Sequence, residues 1–138
     1  PGEIARLTES TVTQIQMNRL ETASQAAKLW NQIVVLKGAY TVVATPDGIG
    51  AINPIANPVL ASAGTGDVLS GIITGLLSQG LSPFDSAICG VYVHGIAGSL
   101  MSDQFGNSGL LASDLLAQIP KAIKKIRETE WPNHTIST

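Results

Sequence analysis

The run Ile33-Val34-Val35-Leu36 constrains the fold more than any other segment of this chain. It is apolar and mostly β-branched, with no polar side chain for either face. It therefore suits a strand buried on both sides, as in a parallel sheet covered by helices. Thr41 to Thr45 and Gly50 to Asn53 read as a hairpin with Pro46-Asp47-Gly48 as its turn. Upstream, Leu20, Ala23, Ala27 and Trp30 recur at helical spacing from about Gln16 to Trp30.

Three helices follow a loop that carries Pro54 and Pro58. In the first, Val68, Leu69, Ile72, Ile73, Leu76 and Leu77 form an apolar stripe, Gly71 and Gly75 share a face expected to admit another backbone, and Gly80 is the expected stop. The second starts with Ser82 as N-cap, Pro83 at the first position and Asp85 in the first turn, then continues through Ala87, Ile88, Val91 and Gly95. The third is expected from Ser113-Asp114 to about Arg127, with Leu116, Ile119, Ile123 and Ile126 inward and Pro120 kinking it unless the helix begins later. One central strand, a hairpin and these helices do not close an α/β core by themselves. The fold class is thus the C-terminal portion of an α/β domain over residues 1–127, with the missing parallel strands expected upstream of Pro1. Residues 128–138 read as a polar, frayed tail.

Composition narrows the function. The apolar share is 44% and the charged share 13%, so the chain builds a core. A net charge of -2 gives no reason to expect nucleic acid. The basic cluster Lys121, Lys124, Lys125 and Arg127 lies late in a helix, where cations complement the dipole. The single cysteine, Cys89, excludes an internal disulfide, and its apolar surroundings predict a buried thiol. No signal peptide is visible and no apolar stretch approaches the roughly 20 residues of a membrane span, so a cytoplasmic protein with no membrane partner is the expectation.

The chemistry-bearing segment is Ala63-Gly64-Thr65-Gly66-Asp67-Val68, which joins a loop to a helix. The first N–H groups of a helix lack internal partners, and with the dipole they make an anion site. Gly64, Thr65 and Gly66 would supply that anion hole for a phosphoryl group in transfer. Asp67, in the first turn, can take a proton from an attacking substrate hydroxyl. A capped, glycine-rich turn with no ligand satisfies the same short pattern. A Walker A loop is absent, and Leu69 stands where a dinucleotide fingerprint needs its third glycine. Lys37-Gly38-Ala39-Tyr40-Thr41 ends the buried strand, where ligands of open α/β sheets bind; an exposed lysine at a strand end is the alternative. Asn57-Pro58 reads as a turn, and His94 as a packing histidine with no metal-ligand partners at useful spacing. No metal ligand is assigned.

In order, Pro1-Gly2-Glu3, Val35-Leu36-Lys37-Gly38, Thr45-Pro46-Asp47-Gly48, Asn57-Pro58, Gly64-Thr65-Gly66-Asp67-Val68-Leu69-Ser70-Gly71, Gly90-Val91-Tyr92-Val93-His94-Gly95 and Leu110-Leu111-Ala112-Ser113-Asp114-Leu115 form a specific set. The set resembles the C-terminal half of the ADP/ATP-dependent NAD(P)H-hydrate dehydratases, the carbohydrate-kinase-related YjeF C-terminal domain. The resemblance runs from residue 1 to about Arg127. It implies a ribokinase-like fold and repair of hydrated NADH and NADPH, in which ADP or ATP with Mg²⁺ phosphorylates the ring hydroxyl and loss of phosphate restores the ring. It also implies roles by position. Asp67 is the base and a substrate contact, Asn57 a second substrate-binding residue, and Lys37, Gly38, Ala39, Tyr40, Thr41 and Gly66 bind the nucleotide. Thr65 stands where the family commonly has Ser and keeps the hydroxyl. The family's pattern places a His before Pro-Gly-Glu and draws its nicotinamide pocket from an upstream half, neither of which is in this sequence. That half is an expected partner, and exposed sheet edges leave homo-oligomerisation open. The alternatives are a ribokinase-like kinase for a small alcohol and an inactive nucleotide-binding fragment.

Overall fold

A computed structural model describes residues 1–8 and 10–129. Helices α1 (Gly2–Thr8), α2 (Val12–Met17) and α3 (Arg19–Trp30) lead into strands β1 (Val34–Leu36), β2 (Val42–Ala44) and β3 (Gly50–Ile52). A single 3₁₀ turn at Pro58–Ala61 precedes α4 (Thr65–Ser78), α5 (Pro83–Phe105), α6 (Ala112–Leu116) and α7 (Ile119–Glu128).

The three strands form one sheet in the order β1-β2-β3, and both pairings are antiparallel, with Val35 opposite Val43 and Val43 opposite Ala51. The parallel neighbours of β1, expected upstream of Pro1, are not among the described residues, and the other edge of β1 carries no strand among them. The expectation of two buried faces holds, because side chains alternate across the pleat. Val34, Leu36, Val42 and Ala44 pack with Ala23, Ala26 and Ala27 of α3. Ile33, Val35 and Val43 pack on the other face with Leu69, Ala87 and Val91 of α4 and α5. A third cluster joins Val93, Ala97 and Met101 to Leu115 and Ala122, tying α5 to α6 and α7.

Helix ends follow the sequence where caps were legible. The Ser82 hydroxyl accepts from the Asp85 amide, and Pro83 opens α5. Gly80 ends α4 at φ +94°, with its amide donating to Leu77 and the Leu81 amide to Leu76. Other expectations are corrected. The first predicted helix is broken before Arg19, where Asn18 leaves helical geometry, and Leu20 is exposed, with Ala23 and Ala27 buried. The third is two helices: Pro120 sits in the first turn of α7, where it needs no N–H partner, so the break falls before it. Leu115, not Leu116, faces inward. Cys89 is exposed, because it lies on the solvent side of α5. The last helix extends to Glu128, one residue into the expected tail, and the tail's Pro132 and His134 lie outside the described residues.

Gly71 and Gly75 face open space and admit no neighbour. The close approaches are made by the glycines of α5. A Cβ on Gly90 would lie 2.6 Å from Ile73 Cγ1 and 3.4 Å from the Ile73 backbone. A Cβ on Gly95 would lie 3.0 Å from Ile55, and one on Gly98 would lie 2.7 Å from Leu60. These glycines seat α4 and the 53–62 loop against α5. Gly90→Val is therefore expected to destabilise the full-length protein by about 1–3 kcal/mol through overpacking, read as a lower midpoint in urea.

Candidate active site

A cavity of about 690 Å³ opens where the C-terminal end of β1, the 53–62 loop and the start of α4 meet. All the candidate catalytic and binding residues line it except Tyr40, which stands outside at φ +56° and half exposed. Two segments separated by some thirty residues thus converge, and the contact between them is direct. A Cβ on Gly66 would lie 2.9 Å from the Lys37 ammonium. Glycine at 66 leaves the space that the ammonium occupies.

The turn before α4 is built from the chain inward. Asn57 caps the 3₁₀ turn, its side-chain oxygen accepting from the Val59 amide at 3.0 Å. Thr65 is buried, and its hydroxyl lies 2.7 Å from the Leu60 carbonyl and 2.8 Å from that of Ser62. The hydroxyl thus folds the loop back onto the helix start. Gly64 takes φ +85°, a conformation that favours glycine, and its carbonyl accepts from the Asp67 and Val68 amides. The Thr65 amide is spent on the Ser62 carbonyl at 3.3 Å. The Gly64 and Gly66 amides have no acceptor among the described residues. Of the three amides expected to form an anion hole, those of Gly64 and Gly66 are the two left without a partner. Asp67 sits in the first turn of α4, exposed and lining the cavity.

Sequence reasoning missed residues that only tertiary contact reveals. Glu3 of α1 reaches the Lys37 ammonium at 3.1 Å and shares the cavity. Asn53 at the end of β3 donates from Nδ2 to the Val91 carbonyl at 3.2 Å, fixing the loop to α5. Arg19 of α3 donates to the carbonyls of Leu36 and Lys37. Within the sequence, only the Pro1-Gly2-Glu3 motif hinted at any of these.

His94 is the packing residue its helix predicted, and it also borders the cavity. Its Nε2 lies 2.9 Å from the Thr65 carbonyl. Burial pushes its pKa below the ordinary 6.5, and the hydrogen bond to Thr65 opposes this. A depressed histidine pKa means that the unfolded chain binds the extra proton first. The stability it contributes is complete above pH 6.5 and is lost as pH falls through and below that value. The full-length protein should lose stability on going from about pH 7.5 to about pH 5.5, and His94→Gln should lose less, as compared in urea melts.

Three carboxylates, histidines or cysteines placed to form a metal cage are absent among the described residues. The cavity carries two carboxylates, Glu3 and Asp67. That set fits a Mg²⁺ held mainly by nucleotide phosphates and water, which needs only one or two protein carboxylates.

Residues 1–121 match a family model described as NAD(P)H-hydrate dehydratase. The chain is 48% identical over 128 residues to a bifunctional NAD(P)H-hydrate repair enzyme, Nnr, of Moorella thermoacetica, covering 93% of this chain and 24% of that protein. It is 38% identical over 125 residues to an ADP-dependent (S)-NAD(P)H-hydrate dehydratase of Bacillus subtilis, covering 91% of this chain and 45% of that protein. A crystal structure of the ADP/ATP-dependent NAD(P)H-hydrate dehydratase from Bacillus subtilis, co-crystallised with ATP/Mg²⁺, superposes with a TM-score of 0.87 over 91% of this chain and 45% of that one, at 38% identity. The chain thus spans 24% to 45% of the length of these relatives.

Proposed function

The chain belongs to the NAD(P)H-hydrate dehydratase family, and from that premise we propose that the full-length protein dehydrates hydrated NADH and NADPH at the expense of ADP or ATP. The observation that carries the reading is the meeting of the Lys37 ammonium with Gly66 at the start of α4, in the cavity that Asp67 also lines. A cation, unpaired amides and a carboxylate then face one cavity. That is what phosphoryl transfer to an alcohol requires: charge on the transferred group, and a base for the attacking oxygen.

In this reading the Gly64 and Gly66 amides and Lys37 hold the terminal phosphoryl group. The turn Lys37 to Thr41 lies along the nucleotide phosphates. Asp67 takes the proton of the nicotinamide-ring hydroxyl as the ring oxygen attacks the terminal phosphorus, whose bond to the departing AMP or ADP breaks, and Asn57 contacts the same substrate. The C–O bond of the phosphate ester then breaks, inorganic phosphate leaves with the former hydroxyl oxygen, a proton departs the neighbouring ring carbon, and the ring double bond is restored. Mg²⁺, when bound, neutralises phosphate charge; Glu3 and Asp67 are the carboxylates that would face it.

The nicotinamide pocket is completed by the other half of the domain, in the same polypeptide or as a separate chain. The open edge of β1, the exposed Leu7, Met17 and Leu29, and the partial span of the relatives support this. No described helix is long and apolar enough to cross a membrane. A cytoplasmic location is part of the proposal.

The full-length protein is tested with hydrated NADH, ADP or ATP, and Mg²⁺. Return of the reduced-nicotinamide absorbance with release of one phosphate per ring supports the dehydratase. A stable phosphoester on another alcohol, with no return of absorbance, assigns the site to a small-molecule kinase. Neither product, with nucleotide bound, leaves an inactive nucleotide-binding domain.

A further inference from the structure

We infer that Arg19, which does not line the cavity, is a positioning residue that holds the Gly38 amide open as a phosphate donor. The inference rests on the reading of Lys37 to Thr41 as the nucleotide-phosphate turn.

One Arg19 nitrogen, Nη2, donates to the Leu36 carbonyl at 2.9 Å and to the Lys37 carbonyl at 3.3 Å. A planar trans peptide points its C=O and the following N–H in opposite directions. Holding the Lys37 carbonyl on the Arg19 side therefore turns the Gly38 N–H away from Arg19. That amide has no acceptor among the described residues. The Gly38 carbonyl is held separately, by the Thr41 hydroxyl at 3.0 Å. The turn is thus clamped on both sides of Gly38, while its N–H is left unused.

Two further features favour an organising role over a casual contact. Gly38 adopts φ +139°, and a Cβ there would lie 3.0 Å from Arg19 Nη1. The guanidinium therefore rests on the bare Gly38 backbone, and both the conformation and the packing call for glycine. Arg19 Nε is buried with no partner among the described residues. A buried donor left unpaired is a cost, which a surface arginine serving only solubility would not carry. The outer edge of the guanidinium is anchored at 2.8 Å by the Gln16 side chain, itself exposed.

Steady-state kinetics and calorimetric binding of ADP and ATP with Mg²⁺, in the full-length protein, test this. Arg19→Gln should raise KM and Kd for nucleotide about tenfold, with kcat at saturating nucleotide and KM for the hydrate within about twofold of wild type. Arg19→Lys keeps the charge without the planar fork and should stay at least about fivefold weaker for nucleotide. A wild-type nucleotide KM in Arg19→Gln overturns the inference, even if its Tm falls, because that is the signature of a purely structural role. A wild-type KM in Arg19→Lys overturns it as well, since charge alone would then suffice. If Arg19→Gln does not fold, Gln16→Leu decides: the inference expects about a two- to threefold rise in nucleotide KM, and no rise overturns it. A wild-type protein that binds neither ADP nor ATP overturns the reading of the site itself, and the role of Arg19 with it.

Discussion

Asp67→Asn in the full-length protein is expected to lower kcat for hydrated NADH by about 10²–10⁴-fold, with nucleotide KM within about threefold of wild type. The substitution keeps size and shape at the first turn of α4, so the Gly64 turn and the amides beside it should persist. What it removes is the ability to accept a proton. A neutral ring hydroxyl attacks phosphorus poorly, and nothing else in the cavity stands in the same turn as the anion site. His94 lies behind that turn with its Nε2 on the Thr65 carbonyl, and Glu3 is engaged with Lys37. Steady-state kinetics with both substrates varied measure the effect. Full turnover by Asp67→Asn would remove Asp67 from the role of base.

Lys37→Met is expected to weaken ADP and ATP binding by about 10–100-fold, because it deletes the cation that lies over Gly66. In the free protein that cation is paired with Glu3, but the pair is exposed, with side chains 41% and 71% accessible. Exposed pairs contribute only about 0–1 kcal/mol, so a phosphate can take the ammonium at little cost. Gly66→Ala tests the same contact from the other side. Its methyl would enter the space of the ammonium at the end of a flexible side chain, so the fold should survive while nucleotide affinity falls by about tenfold. Calorimetric titration with ADP and Mg²⁺ reads both variants. Undiminished affinity in both would separate Lys37 from the phosphates.

The parts legible in sequence were those governed by local rules. The Ile33 to Leu36 run gave a strand covered on both faces, because alternation across a pleat leaves no room for another outcome. The Ser82-Pro83 start and the Gly80 stop were readable because each carries its own capping chemistry. The direction of β1 against β2 was left unassigned, because the same apolar run serves a parallel or an antiparallel neighbour; here β2 is antiparallel. Gly71 and Gly75 looked like a contact face, yet spacing alone does not say which helix meets them; the contacts went to Gly90, Gly95 and Gly98 instead. Cys89 sits in an apolar run on a helix long enough to have one outward side.

At the site, the glycine-rich turn and the strand-end lysine were found as separate segments, from helix-terminus physics and from the rule for open sheets. Their approach across Gly66 depends on the tertiary fold. So do the parts played by Glu3 and Asn53, which the fold brings to the cavity, and by Arg19, which it brings against the Leu36 and Lys37 carbonyls beside it. Tyr40 was included for its place in a run, and its backbone conformation turns it out of the cavity.

In the proposed reaction the ring hydroxyl is phosphorylated at the Gly64 to Asp67 turn and its oxygen leaves in phosphate. Hydrated NADH carrying ¹⁸O in its ring hydroxyl tests this most directly, with the full-length protein, Mg²⁺ and ADP or ATP in unlabelled water. The ¹⁸O is expected in inorganic phosphate as the reduced-nicotinamide absorbance returns. Label recovered in water, with unlabelled phosphate released alongside, would contradict it.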